Sequence, residues 1–130
     1  MGGITMRKTL LFTGVFLSLG LAGCSQAPPT SHGKPIAYWV EKVKDGDPKT
    51  RLKAVKALGH VGTADPAAVP ALIEAVRDKD AEVRAAAIVA LIPLGADAKG
   101  AVPALEQARN DPSPKVRLYA AKALEKVQGP

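Results

Sequence analysis

Apolar residues fall in two regimes along this chain. From Leu10 to Ala22 they run almost unbroken, and from about residue 35 they recur every three or four positions between charged ones. In Val69, Leu72, Ile73 and Val76 the spacing is i, i+3, i+4, i+7, and Val83, Ala87, Ala90, Leu91 and Leu94 trace a similar stripe. Such spacing marks one buried face of a helix. Asp47-Pro48, Asp65-Pro66 and Ser113-Pro114 each place a capping side chain before a proline suited to the first helical turn, and Gly62 and Gly95 mark stops. The pattern predicts six helices, near 35–44, 47–61, 66–77, 80–94, 98–109 and 113–127. None is long enough to persist alone, so each must bury its stripe on neighbours.

The helical part repeats itself. DPKTRLKAVKALGHVG (47–62), DAEVRAAAIVALIPLG (80–95) and SPKVRLYAAKALEKVQ (113–128) align at an offset of 33, which superposes Arg51, Arg84 and Arg117, and likewise Leu58, Leu91 and Leu124. AVPALIEAVRD (68–78) and AVPALEQARND (101–111) keep the same offset, and AYWVEKVKD (37–45) matches them with Trp39 on Leu72 and Asp45 on Asp78. A period of this length signals stacked helical hairpins. Pro93 departs from it: its repeat-mates are His60 and Lys126, and a proline there should kink or end the helix early.

These units resemble HEAT repeats of the short bacterial type, the PBS-lyase HEAT-like repeats, over residues 35–130. The resemblance rests on the AVPAL segment, the VR-x-x-A-x-x-AL segment and an Asp six residues before an Arg. It implies an all-α fold, a short right-handed α-solenoid of helical hairpins, with Asp–Arg pairs forming a stacking ladder between units. The pairs in this sequence are Asp45/Arg51, Asp78/Arg84 and Asp111/Arg117. A phosphate- or carboxylate-binding row is the alternative for these arginines, but every Arg has its Asp at the same distance, which favours the ladder.

The first apolar run reads differently. Arg7 and Lys8 precede it, and thirteen residues of helix reach only about 20 Å, short of a bilayer core of roughly 30 Å. That layout is a secretory signal, with Met6 as an alternative start. Leu21-Ala22-Gly23-Cys24 resembles the bacterial lipobox, which implies cleavage after Gly23 and a lipid on the sulfur of Cys24. Ser25 rather than Asp after that cysteine leans towards an outer-membrane or periplasm-facing location. The expected organisation is therefore a signal peptide at 1–23, a lipidated N-terminus and flexible tether at 24–34, and the repeat domain at 35–130. The tether, SQAPPTSHGK, has no apolar periodicity.

Composition narrows the chemistry. Removing residues 1–23 takes Arg7 and Lys8 and leaves 16 basic against 12 acidic residues, or +4, too little for a dedicated nucleic-acid track. With one cysteine there is no internal disulfide and no cysteine metal cage. His32 and His60 have no further ligand at metal spacing. Residues 35–130 carry no nucleophile–base constellation, so no catalytic residue, cofactor or metal is assigned. The HEAT resemblance lies in the repeat and does not carry lyase catalysis with it. Lys49, Lys53, Lys56 and Arg51 form a basic cluster, read as a solvated face or a contact with anionic headgroups.

What remains is binding. The inner face of the stack is expected on helices 35–44, 66–77 and 98–109, with Tyr38, Glu41, Lys42, Glu74, Gln107 and Arg109 as candidate contacts for a protein partner. Tyr38 is the strongest anchor, because aromatic residues dominate interface hot spots. Trp39 belongs to the core and closes the N-terminal end. The sequence thus points to a lipid-anchored interaction or scaffold module of the bacterial envelope, not an enzyme. An accessory subunit of a lyase-like enzyme and a self-stacking structural protein are the alternatives.

Overall fold

Local capping chemistry sets three of the six helix starts. The computed structural model describes residues 30–130; the expected signal segment and Cys24 lie outside the described residues. Helix α1 spans Ile36–Lys42, α2 Pro48–Val61, α3 Ala68–Ala75, α4 Ala81–Leu91, α5 Val102–Ala108 and α6 Pro114–Gln128. The Asp47 carboxylate accepts from the Thr50 amide, Asp80 from the amides of Glu82 and Val83, and Ser113 from that of Val116, so α2, α4 and α6 each begin on a side-chain cap. Asp65 behaves otherwise. It accepts from the Ala67 amide at 2.8 Å within a turn, and α3 begins only at Ala68.

Pro93 shortens α4, which ends at Leu91 rather than at the expected 94. Residues Ile92–Ala101 continue as tighter 3-10 turns broken at Gly95, where φ is 52°. Residues Ala81–Ala108 are apolar enough to cross a membrane if they formed one helix, but this break divides them into separate helices of the repeat domain.

The hairpins α1/α2, α3/α4 and α5/α6 stack in sequence, and the second helices α2, α4 and α6 lie side by side. Their stripes meet in one core that includes the wholly buried Leu58, Leu72, Ile88, Leu91 and Leu105. Alanines at Ala54, Ala57, Ala87, Ala120 and Ala123 are fully buried and hold the helices close. At Gly59 the approach is tightest: a Cβ there would lie 2.9 Å from that of Ala90. The architecture is the all-α solenoid that the repeat implies.

The expected tether is corrected at its C-terminal end. Residues Thr30–Ser31 and Lys34–Pro35 form a two-stranded antiparallel ribbon, β1 and β2, around a turn in which His32 and Gly33 both have positive φ. The ribbon docks on the first hairpin. Ser31 Oγ donates to the Ala57 carbonyl at 3.0 Å, and the Ser31 carbonyl accepts from Trp39 Nε1 at 2.7 Å. A serine and an indole N–H within reach of buried acceptors outweigh the low apolar content of the segment, so the ordered fold begins at Thr30. Trp39 is buried at the N-terminal end, against the ribbon.

Candidate functional site

The arginines occupy equivalent places at the joints between hairpins. Arg51 Nη1 donates to the Asp45 and Gly46 carbonyls of its own hairpin loop, at 2.9 and 3.1 Å. Its Nε and Nη2 grip the Asp78 carboxylate at 2.8 and 3.1 Å. Arg84 repeats the arrangement with the Asp78 and Lys79 carbonyls and the Asp111 carboxylate. The carboxylate partner is therefore not the Asp six residues earlier. Asp45/Arg51, Asp78/Arg84 and Asp111/Arg117 meet through the backbone carbonyl of the Asp, while the ion pairs are Arg51–Asp78 and Arg84–Asp111. Arg51 and Arg84 each sit over their own loop through Nη1 and hold the carboxylate of the next loop through Nε and Nη2.

The pairs shift the charge equilibria of Arg51 and Asp111. The hydrogen bonds that Arg51 donates to Asp78 raise the Arg51 pKa further, against the opposing effect of burial. Burial pushes Asp111 up, but the hydrogen bonds from Arg84 and the Ser113 amide outweigh it and hold the carboxyl below its ordinary range. Asp45 is also lowered, by the Asp47 amide and by Lys42, whose Nζ stands 3.0 Å from Oδ2.

The candidate contacts on the first helices are dispersed. Tyr38 is exposed and packs edge-on against Trp39 at 4.9 Å between ring centroids, with Lys34 and Lys42 over its ring. Glu41 is exposed beside it, while Lys42 is tied to Asp45. Glu74 pairs with Lys44 at 3.4 Å, and Gln107 accepts from Arg77 Nε at 3.2 Å. Arg109 pairs with Glu106. Lys42, Glu74 and Arg109 serve ion pairs, and the six groups do not gather into one apolar patch.

An apolar groove of about 420 Å³ lies instead over α2, α4 and α6, lined by Leu52, Gly59, Ala86, Val89, Ala90 and Tyr119 with Lys56, His60 and the Glu82–Lys115 pair at its edges. Val89 is 44% exposed. Its repeat-mates are Lys56 and Lys122, so an apolar residue at a polar register position was the available sequence signal. Periodicity alone passed over it because an off-stripe valine does not alter a helical stripe.

The structure also brings His32 to His60, edge-on at 5.9 Å between centroids, which their separation in sequence concealed. Among the described residues no group of three or more His, Cys, Asp or Glu side chains is placed to hold a metal.

The HEAT repeats family matches residues 36–125. The chain belongs to the HEAT repeat family. No curated protein matches it. This HEAT protein is similar to a chain in the complex of CpcE and CpcF of phycocyanin lyase from Nostoc sp. PCC7120, at 29% identity and a TM-score of 0.64. The match covers 77% of this chain and 40% of that one, so the HEAT domain spans less than half of its structural relative.

Proposed function

We propose that this HEAT protein is a non-enzymatic docking module of the bacterial cell envelope, anchored through a lipid on Cys24, that holds a protein partner against the α2–α4–α6 groove. The observation that carries the reading is exposed Val89 in a groove whose apolar lining is leucine, alanine and tyrosine. An apolar floor edged by Lys56, His60 and the Glu82–Lys115 pair suits a protein segment with an apolar anchor and polar flanks. Lipid anchoring confines such a module to two dimensions and raises its effective concentration near membrane partners.

A second reading has a specific support. The similarity to a subunit of a phycocyanin lyase complex favours an accessory role, in which the HEAT domain positions a substrate protein for an enzyme. On either reading the working surface is a protein interface.

Affinity capture from solubilised envelopes with the tagged full chain, at about 50 and 300 mM salt, tests the docking role, since surface charge alone is screened over this range. One partner retained at both salts by the wild type and lost by Val89→Glu is the expected result. Equal retention by both proteins removes the groove from consideration. Cys24→Ser is expected to release the protein from the membrane fraction, and turnover by the purified chain alone would overturn the non-enzymatic reading.

A further inference from the structure

The two ends of the solenoid differ. At the N-terminal end the ladder carboxylate, Asp45, meets no arginine side chain among the described residues and is neutralised by Lys42, and the β1–β2 ribbon covers the adjoining part of α2 through Ser31 and Ala57. At the C-terminal end Arg117 keeps half of the ladder geometry. Its Nη1 donates to the Asp111 and Pro112 carbonyls at 2.7 and 3.1 Å, as Arg51 and Arg84 do on their own loops. Among the described residues no carboxylate meets its Nε and Nη2. The fork is thus fixed by its loop and exposed.

Beside it Leu118 is 53% exposed, whereas of its repeat-mates Ala85 is 2% exposed and Leu52 is half-buried in the groove. Around this pair the register positions that pack the next hairpin elsewhere have turned polar or small. Ile73 and Val76 correspond to Glu106 and Arg109, and the buried Val55 and Ile88 to Ala121. A permanently stacked neighbour would bury apolar side chains at these positions. A polar rim around one preorganised arginine and one leucine is the anatomy of a reversible interface.

The molecule shows twice what such a fork accepts. Asp78 and Asp111 each lie in a hairpin loop, use Oδ1 to accept the amide two residues on, and present both oxygens to the arginine. We propose that the C-terminal end is a second docking surface, independent of the groove, which takes an aspartate-bearing hairpin loop of another HEAT-repeat protein through the Arg117 fork and Leu118. A bidentate guanidinium–carboxylate pair fixes orientation as well as charge, which a lysine cannot reproduce.

The test extends the full chain beyond Pro130 with a copy of its own residues 98–130, which keeps the 33-residue register and offers a copy of the Asp111 loop to Arg117. Arg117→Ala is expected to lower the Tm of the extended chain by about 5 °C more than that of the original chain. Arg117→Lys should behave as Arg117→Ala does, and Asn in the appended copy of Asp111 should abolish the difference. Equal effects of Arg117→Ala in both chains would show that Arg117 serves only its own loop and overturn the proposal, while leaving the groove reading intact. Concentration-dependent self-association of the original chain in sedimentation, lost in Asp45→Asn, would overturn the choice of a different chain as occupant.

Discussion

Arg84 Nε donates to Asp111 Oδ2 at 2.8 Å across 27 residues, while Nη1 of the same guanidinium donates to the Asp78 carbonyl at 2.8 Å. One side chain therefore ties three segments: its own helix, the loop before it and the loop of the next hairpin. The pair is largely shielded from water, with side-chain exposures of 16% and 9%. A solenoid has few contacts beyond neighbours, so a clasp at each joint fixes the stacking angle that the alanine-lined helices leave soft.

Arg84→Ala removes the clasp and leaves Asp111 charged in a poorly solvated site. The expected result is a fall in Tm of roughly 10 °C, with Arg84→Lys recovering only part of it because an ammonium cannot span both oxygens. Thermal unfolding followed by circular dichroism measures this. A fall within about 2 °C would mean that the pair is structurally idle and would reopen the ligand-binding reading of the arginine row.

The same pair has a pH signature. Asp111 is held below its unfolded value of 3.8, so the folded state retains the charged form to lower pH than the unfolded chain does. Its contribution is complete above the unfolded value and is lost as pH falls through the lower, folded one. Asp111→Asn should therefore lower Tm at neutral pH and flatten the acid limb of the Tm–pH curve below about pH 4. The lowered Asp45 leaves a residual slope, and parallel acid limbs in wild type and variant would remove Asp111 from the account.

Gly59 sits inside α2, where alanine would ordinarily favour the helix by about 1 kcal/mol. Its Cβ would stand 2.9 Å from that of Ala90, closer than packed carbons allow. Gly59→Ala is thus expected to be neutral or destabilising rather than stabilising, and Gly59→Val to cost about 1–3 kcal/mol through overpacking. Pairing Gly59→Val with Ala90→Gly should restore part of the loss, as urea unfolding midpoints will report.

Docking of the ribbon depends on Trp39 and Ser31. Trp39→Phe keeps most of the ring but leaves the Ser31 carbonyl without its donor, and Ser31→Ala leaves the Ala57 carbonyl without its extra one. Each should cost about 1 kcal/mol and selectively accelerate hydrogen exchange or proteolysis in residues 30–35. Unchanged protection there would show that the ribbon is held by other contacts.

The order and type of the six helices were legible in the residues themselves. Apolar spacing, Asp-Pro and Ser-Pro starts and the 33-residue register are local properties, and the early end of α4 follows from Pro93 because a missing N–H acts within one turn. Sequence likewise supplied the arguments for a lipid on Cys24, which depend on chemistry outside the fold. The tertiary structure decided what local spacing cannot encode. An Asp six residues before an Arg is consistent with a pair inside one hairpin, yet side-chain reach across the joint gives Arg51 to Asp78 and Arg84 to Asp111. Ser31 and Trp39 bind the ribbon only because α1 and α2 close beside it. Val89 becomes part of a groove only when three helices from different repeats lie side by side, since a surface is a property of neighbours and not of a stripe.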